Sequence, residues 1–228
     1  MSTASAARPK PTPRPSSAFL TVDLDREGKQ TGFLMIPHSP HDDAWGATRV
    51  PIAVIKNGTG PTVIMEGGNH GDEYEGPITI CDLIRDLDPG RVQGRLILMP
   101  ANNVHAVMAG QRTSPVDGLN FNRTFPGDPR GTITQQISAF VSDHILPIGD
   151  AFLDLHSGGS SLDIIPSAIV EPTDDPALHK RNVAAVQAFD APMMVVISNL
   201  GEPRTATAAA CRRLDHDRKA GCVGDGPG

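Results

Sequence analysis

Histidine, glutamate and arginine residues at a few strand ends carry most of the chemistry this sequence could perform. In TVIMEGGNHGDEYEGP, residues 62–77, an apolar run ends at Gly67 and Gly68; His70 and Glu73 follow as H-x-x-E, ahead of a helix start at Pro77. Ligands in open α/β sheets gather outside the carboxyl ends of strands, in loops of this kind. Gly71 lets the chain turn, so imidazole and carboxylate can face one point. Together they suit a borderline cation such as Zn2+. The ordinary alternative is a surface hydrogen-bonded His–Glu pair. AFLDLHSGGSSLD, residues 151–163, has the same layout, with His156 at the end of a second apolar run before Gly158 and Gly159. His156 would complete a His–Glu–His set with an open position for water, as in catalytic zinc sites. Asp154, two residues earlier, would share the face of His156 if the strand continues. Its carboxylate could accept the second ring N–H of a ligand histidine and fix its tautomer. Capping of neighbouring loops by a strand-end Asp and His is the bland reading of this second site; two Gly-flanked sites in one chain favour the metal.

A third stretch, MAGQRTSPVDGLNFNRTFPGDP (108–129), is long, polar and punctuated by Gly and Pro. Long loops without regular structure inside compact domains are usually functional. Arg112 and Arg123 lie in it beside amides and hydroxyls. Arginine suits bidentate capture of a carboxylate, or the steadying of a developing oxyanion. Two solvated arginines on a surface loop are the alternative.

The elements that must position these residues follow from the apolar pattern. β-rich runs occur at 18–23, 33–36, 49–55, 62–66, 95–99, 151–155, 162–170 and 193–197. Several are continuous rather than alternating, as in strands covered on both faces. Helices are predicted over 75–87, with Ile80, Leu83, Ile84 and Leu87 on one side and Cys81 at the stripe's edge as a buried thiol. Others are predicted over 132–146, opening at Thr132 or Thr134, and over 174–189, opening with Asp174 and Asp175 before Pro176. Met193 and Met194 read as core packing. Alternating strands and helices predict an α/β fold, three-layer α/β/α with a mixed, mainly parallel sheet. Residues 1–16, with four alternating prolines and no acidic residue, read as a disordered tail. Residues 17–210 read as the domain. Residues 211–228 show no period of 2 or 3.6 and read as a disordered tail that contributes little to a core.

Composition narrows the function classes. With 228 residues, 39% hydrophobic and 20% charged, the chain can build one sizeable domain. A net charge of −6 argues against nucleic acid or an anionic membrane as the main partner. Aromatics at 4% argue against a stacking platform. No run reaches the roughly 18 apolar residues of a membrane span, and the N-terminus lacks a secretory h-region. Three scattered cysteines, Cys81, Cys211 and Cys222, make neither a disulfide framework nor a Cys-type zinc site, so a reducing cytoplasm is expected. His38 and His41 read as solvent-facing around Pro40; His105, His144 and His179 fall in helical patterns, and His216 in the tail.

Three strings, in this order, resemble the succinylglutamate desuccinylase/aspartoacylase family: G-x-x-H-G-x-E at 67–73, N-x-N-R-x-F-P-G at 120–127 and D-L-H-S-G at 154–158. The fuller strings GGNHGDEYEGP, RTSPVDG, NRTFPGDP and DLHSGGSSLD look more specifically like the N-acetyl-L-2,4-diaminobutyrate deacetylases of bacterial ectoine breakdown. The resemblance runs from about Phe19 to about Ala210. It implies a zinc amidohydrolase on a carboxypeptidase-like fold, with one Zn2+ per chain and a small N-acylated amino acid as substrate. His70, Glu73 and His156 would be the zinc ligands. Arg112 would polarise the scissile carbonyl, Asn122 and Arg123 would hold the substrate's α-carboxylate, and Asp154 would support a ligand histidine. In relatives the general base is a glutamate beyond a further strand, followed by a β-rich domain. The text from Cys211 onward resembles nothing in the family, as in a truncated or frameshifted product. The base is therefore expected to be missing, with Glu75 and Glu202 the only nearby glutamates to nominate. Such a loss costs roughly 10²- to 10⁴-fold in rate, while zinc binding could survive. An exposed sheet edge and poor solubility would accompany it. The competing readings are another acyl-amino-acid hydrolase or carboxypeptidase, a zinc-binding remnant without turnover, and a metal-free α/β binding module.

Overall fold

The computed structural model describes residues 12–39, 44–173 and 175–197, and the backbone of 222–226. The strands are β1 (Phe19–Leu20), β2 (Gly28–Pro37), β3 (Ala47–Asn57), β4 (Thr62–Gly67), β5 (Gly94–Met99), β6 (Ala151–Leu155), β7 (Ser167–Val170), β8 (Met193–Val196) and β9 (Cys222–Gly226). They form one sheet in the order β1-β2-β3-β5-β4-β6-β9-β7-β8. The helices are α1 (Glu75–Asp86), α2 (Val104–Ala109), α3 (Ile133–Phe140) and α4 (Pro176–Phe189).

Strand alternation sorts the core into two faces. Val50, Ile52, Val54, Ile64, Ile97, Met99 and Phe152 point to one side, against Ile133, Ile137, Phe140 and Val141 in and just beyond α3. Ala53, Ile55, Leu98 and Leu155 point to the other, against Ile80 with Leu83, Ile84 and Leu87 of α1. On that side Leu153 and Val183 of α4 pack against the cluster of Ala168, Val170 and Val186. The three-layer α/β/α arrangement follows. Asp175 starts α4 by accepting from the N–H groups of Ala177 and Leu178 at 2.8 and 3.3 Å. Gln135 Oε1 in the first turn of α3 accepts from Thr132 N at 3.0 Å.

Several expectations need correction. The sheet is mixed but not mainly parallel. β1–β2, β2–β3, β3–β5 and β7–β9 pair antiparallel, as many as the parallel pairs β4–β5, β4–β6, β6–β9 and β7–β8. The long β2–β3 hairpin extends one end of the sheet by direct reversal, and β7 runs against β9 near the other end. The run 162–170 contributes a strand only from Ser167, since Pro166 cannot donate to a ladder. The tail boundary at residue 16 is too late. Arg14 Nε donates to Asp143 at 2.6 Å, and its guanidinium reaches the carbonyls of Gly127 and Pro126 at 2.8 and 2.9 Å. Within 211–228, read as disordered, Cys222–Gly226 forms β9 between β6 and β7. A ladder needs backbone N–H and C=O groups rather than a hydrophobic period, so the side-chain pattern gave no signal. Cys81 is exposed, not buried: the buried positions of α1 are Gly76 and Ile80, and residue 81 is turned about 100° from Ile80. Met193 and Met194 are 44% and 50% exposed on the edge strand β8 rather than packed in the core. His41, Asp174, Glu202, Cys211 and His216 lie outside the described residues, as does the side chain of Cys222.

Candidate metal centre

The carboxyl ends of β4 and β6 lie side by side, in parallel register, with Glu66 beside Asp154 and Gly67 beside Leu155. The loop leaving β4 carries His70 and Glu73 before α1 begins; the chain leaving β6 delivers His156 one residue later. Gly68 takes φ +71 where the chain turns off the strand. Gly71 acts differently from the flexible turn expected of it. A Cβ there would lie 2.0 Å from the backbone C and O of Ala106 in α2, so glycine is required for close approach. Its N–H donates to Gln111 O at 2.9 Å, tying the His70 loop to the segment that carries Arg112.

His70, Glu73 and His156 come together as the two sequence motifs predict. One ligand atom from each can be chosen such that all lie within 4.8 Å of one another. His70 Nδ1 is 2.7 Å from Glu73 Oε1 and His156 Nδ1 is 2.8 Å from Glu73 Oε2. The opposite ring nitrogens face oxygen acceptors, His70 Nε2 toward Asn120 Oδ1 at 3.2 Å and His156 Nε2 toward Asp154 Oδ2 at 3.0 Å. Oxygen acceptors thus face both nitrogens of each ring: without a cation the Nδ1–H groups can donate to Glu73, and with the ring protons on Nε2 both Nδ1 lone pairs would be free to meet a cation beside that carboxylate. Two imidazole nitrogens and a carboxylate oxygen, nearly enclosed, fit a divalent cation of the zinc type.

The electrostatics agree with that fit. Burial alone would raise the Glu73 carboxyl, but hydrogen bonds from His156 and His70 outweigh it and hold the group well below the usual range. Burial alone would lower the His156 imidazole, but Asp154 and Glu73 hold it well above its ordinary value. The Glu73 and Asp154 carboxylates favour positive charge around them, whether a protonated imidazole or a bound cation. Arg112 supplies some, its Nη1 donating to Glu73 Oε1 at 3.0 Å while the side chain stays 56% exposed at the mouth.

The long loop supplies the other predicted residues. Phe121 and Phe125 pin it to the core, fully buried with rings edge-on at 5.1 Å. This anchoring brings Asn122 Nδ2 to 3.3 Å from His156 Nε2. Arg123 is exposed and its Nη1 returns to the carbonyl of Asn122 at 2.8 Å, so it stands at the rim and not in the cluster.

Three contributors escaped the sequence reading. Asn120 was visible within N-x-N-R but had been given no role. Glu66 and Asn69 flank the His70 motif. Both are buried, Glu66 completely, and Asn69 Nδ2 donates to Asp154 Oδ1 at 2.6 Å and to Glu66 Oε1 at 3.2 Å. Burial, then the negative charge of Asp154, push the Glu66 carboxyl well above its ordinary value. The available signal was a lone glutamate ending an otherwise apolar strand. Glu75, nominated as a stand-in base, is exposed at the start of α1.

Comparison with known proteins fits this geometry. The profile of the succinylglutamate desuccinylase/aspartoacylase catalytic domain matches residues 59–217, so the likeness does not stop at Ala210 as expected but runs seven residues past it. An N-alpha-acetyl-L-2,4-diaminobutyric acid deacetylase of Halomonas elongata is 46% identical over 187 residues, 82% of this chain and 55% of the relative. The product-bound ectoine utilization protein EutE (DoeB) of Ruegeria pomeroyi is similar at TM-score 0.88 and 40% identity, over 93% of this chain and 63% of that one. A succinylglutamate desuccinylase of a Silicibacter species has TM-score 0.87 and 38% identity over 93% and 63%. A metallo-carboxypeptidase of Burkholderia cenocepacia, at 15% identity and TM-score 0.64 over 79% and 52%, shares the fold alone. The chain thus spans about half the length of the curated relative and under two thirds of these structures.

Proposed function

Since the chain belongs to the succinylglutamate desuccinylase/aspartoacylase family, we propose that it holds one Zn2+ on His70, Glu73 and His156 and hydrolyses the amide of a small N-acylated amino acid. N-acetyl-L-2,4-diaminobutyrate is the first candidate substrate, on the likeness to the Halomonas deacetylase and the ectoine utilization protein. The observation that carries the reading is the convergence of two histidine Nδ1 atoms on the two oxygens of one buried carboxylate. When bound, the cation supplies Lewis acidity and lowers the pKa of water to roughly 7.

The chain's own residues do the positioning. Asp154 accepts from His156 Nε2 and keeps its Nδ1 pointed inward. Arg112, half-exposed, is free enough to turn from Glu73 to a substrate carbonyl oxygen and steady negative charge developing there. Asn122 offers an amide beside His156, and Arg123 a guanidinium at the rim, for the substrate's carboxylate. Among the described residues, neither Glu66, enclosed behind Asn69, nor Glu75, exposed on α1, bonds to the His–Glu–His group. A second reading is a zinc-binding chain with little turnover.

The deciding experiment loads the protein with Zn2+, measures the metal content and follows amine release from acetylated and succinylated amino acids. One zinc per chain with release from N-acetyl-L-2,4-diaminobutyrate is expected. Stoichiometric zinc without turnover selects the second reading, and a chain that takes up no zinc overturns both.

A further inference from the structure

The proposed ligand set leaves one fully buried ionisable residue without a role, Glu66. It stands beside Asp154 in the β4–β6 ladder, and alternation turns both side chains to the face of Ile64 and Phe152. Neither carboxyl has any exposure. A single amide bridges them: Asn69 Nδ2 donates to Asp154 Oδ1 at 2.6 Å and to Glu66 Oε1 at 3.2 Å. Asn102 Nδ2 donates to the other Glu66 oxygen. Asn69 Oδ1 and Asn102 Oδ1 are buried with no partner among the described residues. Both amides are therefore oriented by their N–H groups alone, and Glu66 is the acceptor they share. The line ends at Asp154 Oδ2, 3.0 Å from His156 Nε2.

We propose that Glu66 is a positioning residue that acts through Asn69 and Asp154 on His156. With Glu66 in place, Asn69 is locked by two acceptors and claims Oδ1 of Asp154, which leaves Oδ2 for the histidine. Without Glu66, Asn69 keeps one acceptor, its amide can rotate to seek a donor for its orphaned oxygen, and Asp154 loses the contact that fixes its rotamer. His156 then loses a fixed Nε2 partner and, with it, the fixed aim of Nδ1. This rests on the reading of His156 as a cation ligand, but the relay exists whether or not the site turns over an amide.

The test uses the full chain and two readouts. In the metal-free protein the ring Nε2–H of His156, protected by Asp154, is expected as a slowly exchanging low-field proton resonance. It should persist in Glu66→Gln, which keeps an oxygen for Asn69 and offers an amide N–H to the orphaned Asn102 Oδ1, and vanish by exchange in Glu66→Leu. Zinc affinity by chelator competition should fall about tenfold in Glu66→Leu, the low end of what losing a hydrogen-bonding partner of a metal ligand costs, and stay within about twofold in Glu66→Gln. In an Asp154→Asn background, Glu66→Leu should add no further loss. If Glu66→Leu does not fold, Asn69→Ala cuts the same link and should lose the resonance in the same way. A protected resonance in Glu66→Leu or Asn69→Ala, even with lowered thermal stability, overturns the proposal, as does an additive loss of affinity on top of Asp154→Asn. A wild-type chain that binds no zinc fails the metal reading instead, and the resonance still decides the relay.

Discussion

Glu73 receives contacts from His70, His156 and Arg112 and from the Ser157 N–H at 3.2 Å, so its charge balances most of the centre. Replacing it with glutamine keeps the volume but sets an amide against two imidazoles. Zinc affinity by chelator competition should drop at least about 100-fold, since losing a mere hydrogen-bonding partner of a metal ligand already costs about 10- to 100-fold. Metal should also stabilise the fold. At free zinc about 100 times Kd the gain is about 2.7 kcal/mol, read as a higher Tm that a chelator reverses. How much of this could be read from the chain alone depended on residue chemistry. His70, Glu73 and His156 were legible as a cluster because the same Gly-flanked layout occurs at two strand ends, although each site alone has an ordinary structural explanation. Glu66 and Asn69 were not, because a carboxylate closing an apolar strand carries no sequence mark of which way it points. Arg123 was legible as a type and not as a position: nothing in N-R-T-F says that it turns back to its own neighbour's carbonyl.

Elements hold these residues through a few specific contacts. Asp117 accepts from Thr134 N and Oγ1 at 3.0 and 2.8 Å, joining the Arg112–Asn122 loop to the start of α3. Asp117→Ala should cost about 1–2 kcal/mol, as loss of a helix cap does, measured by denaturant unfolding at pH 7. Burial would raise this carboxyl, but hydrogen bonds from Thr132 and Thr134 hold it below its ordinary value. Its contribution is therefore complete above the unfolded pKa of about 4 and is lost as pH falls through the lower folded value. The cost of Asp117→Ala should shrink over that acidic window and stay flat from pH 5 to 8. Gly71→Ala would drive a methyl into the backbone of α2. Overpacking of this kind costs typically 1–3 kcal/mol, and here it should lower both Tm and zinc affinity, because α2 and the His70 loop must part. Helix positions were largely legible from their period and their caps, as Asp175 before Pro176 illustrates. Cys81 was misplaced because a stripe's edge is decided by how closely the helix sits on the sheet, which periodicity does not report.

At the scale of the whole molecule the described sheet ends in β8, an edge strand whose Met193, Met194 and Val196, with Ile197 just beyond it, are each more than two-fifths exposed. Open, apolar edges recruit other strands. The purified chain should show concentration-dependent association in sedimentation, and Met194→Lys with Val196→Lys should suppress it without lowering zinc affinity. No described helix is long and apolar enough to cross a membrane. The α/β class was readable from alternating elements, but the strand order was not, since β9 enters between β6 and β7 on backbone pairing alone. The β4–β6 ladder has its own consequence for how this chain can be rebuilt. Its two halves of the centre meet by register, Gly67 against Leu155, and not through the stretch that connects α1 to β5. Extra residues spliced in beside the exposed Gly90 should leave metal uptake alone, since doubling a loop's length costs only about 0.6 kcal/mol. Deleting Leu155 from β6 would turn Asp154 to the opposite side of the sheet from His156 and bring Leu153 to the histidine's side instead. Length is negotiable in this scaffold; parity is not.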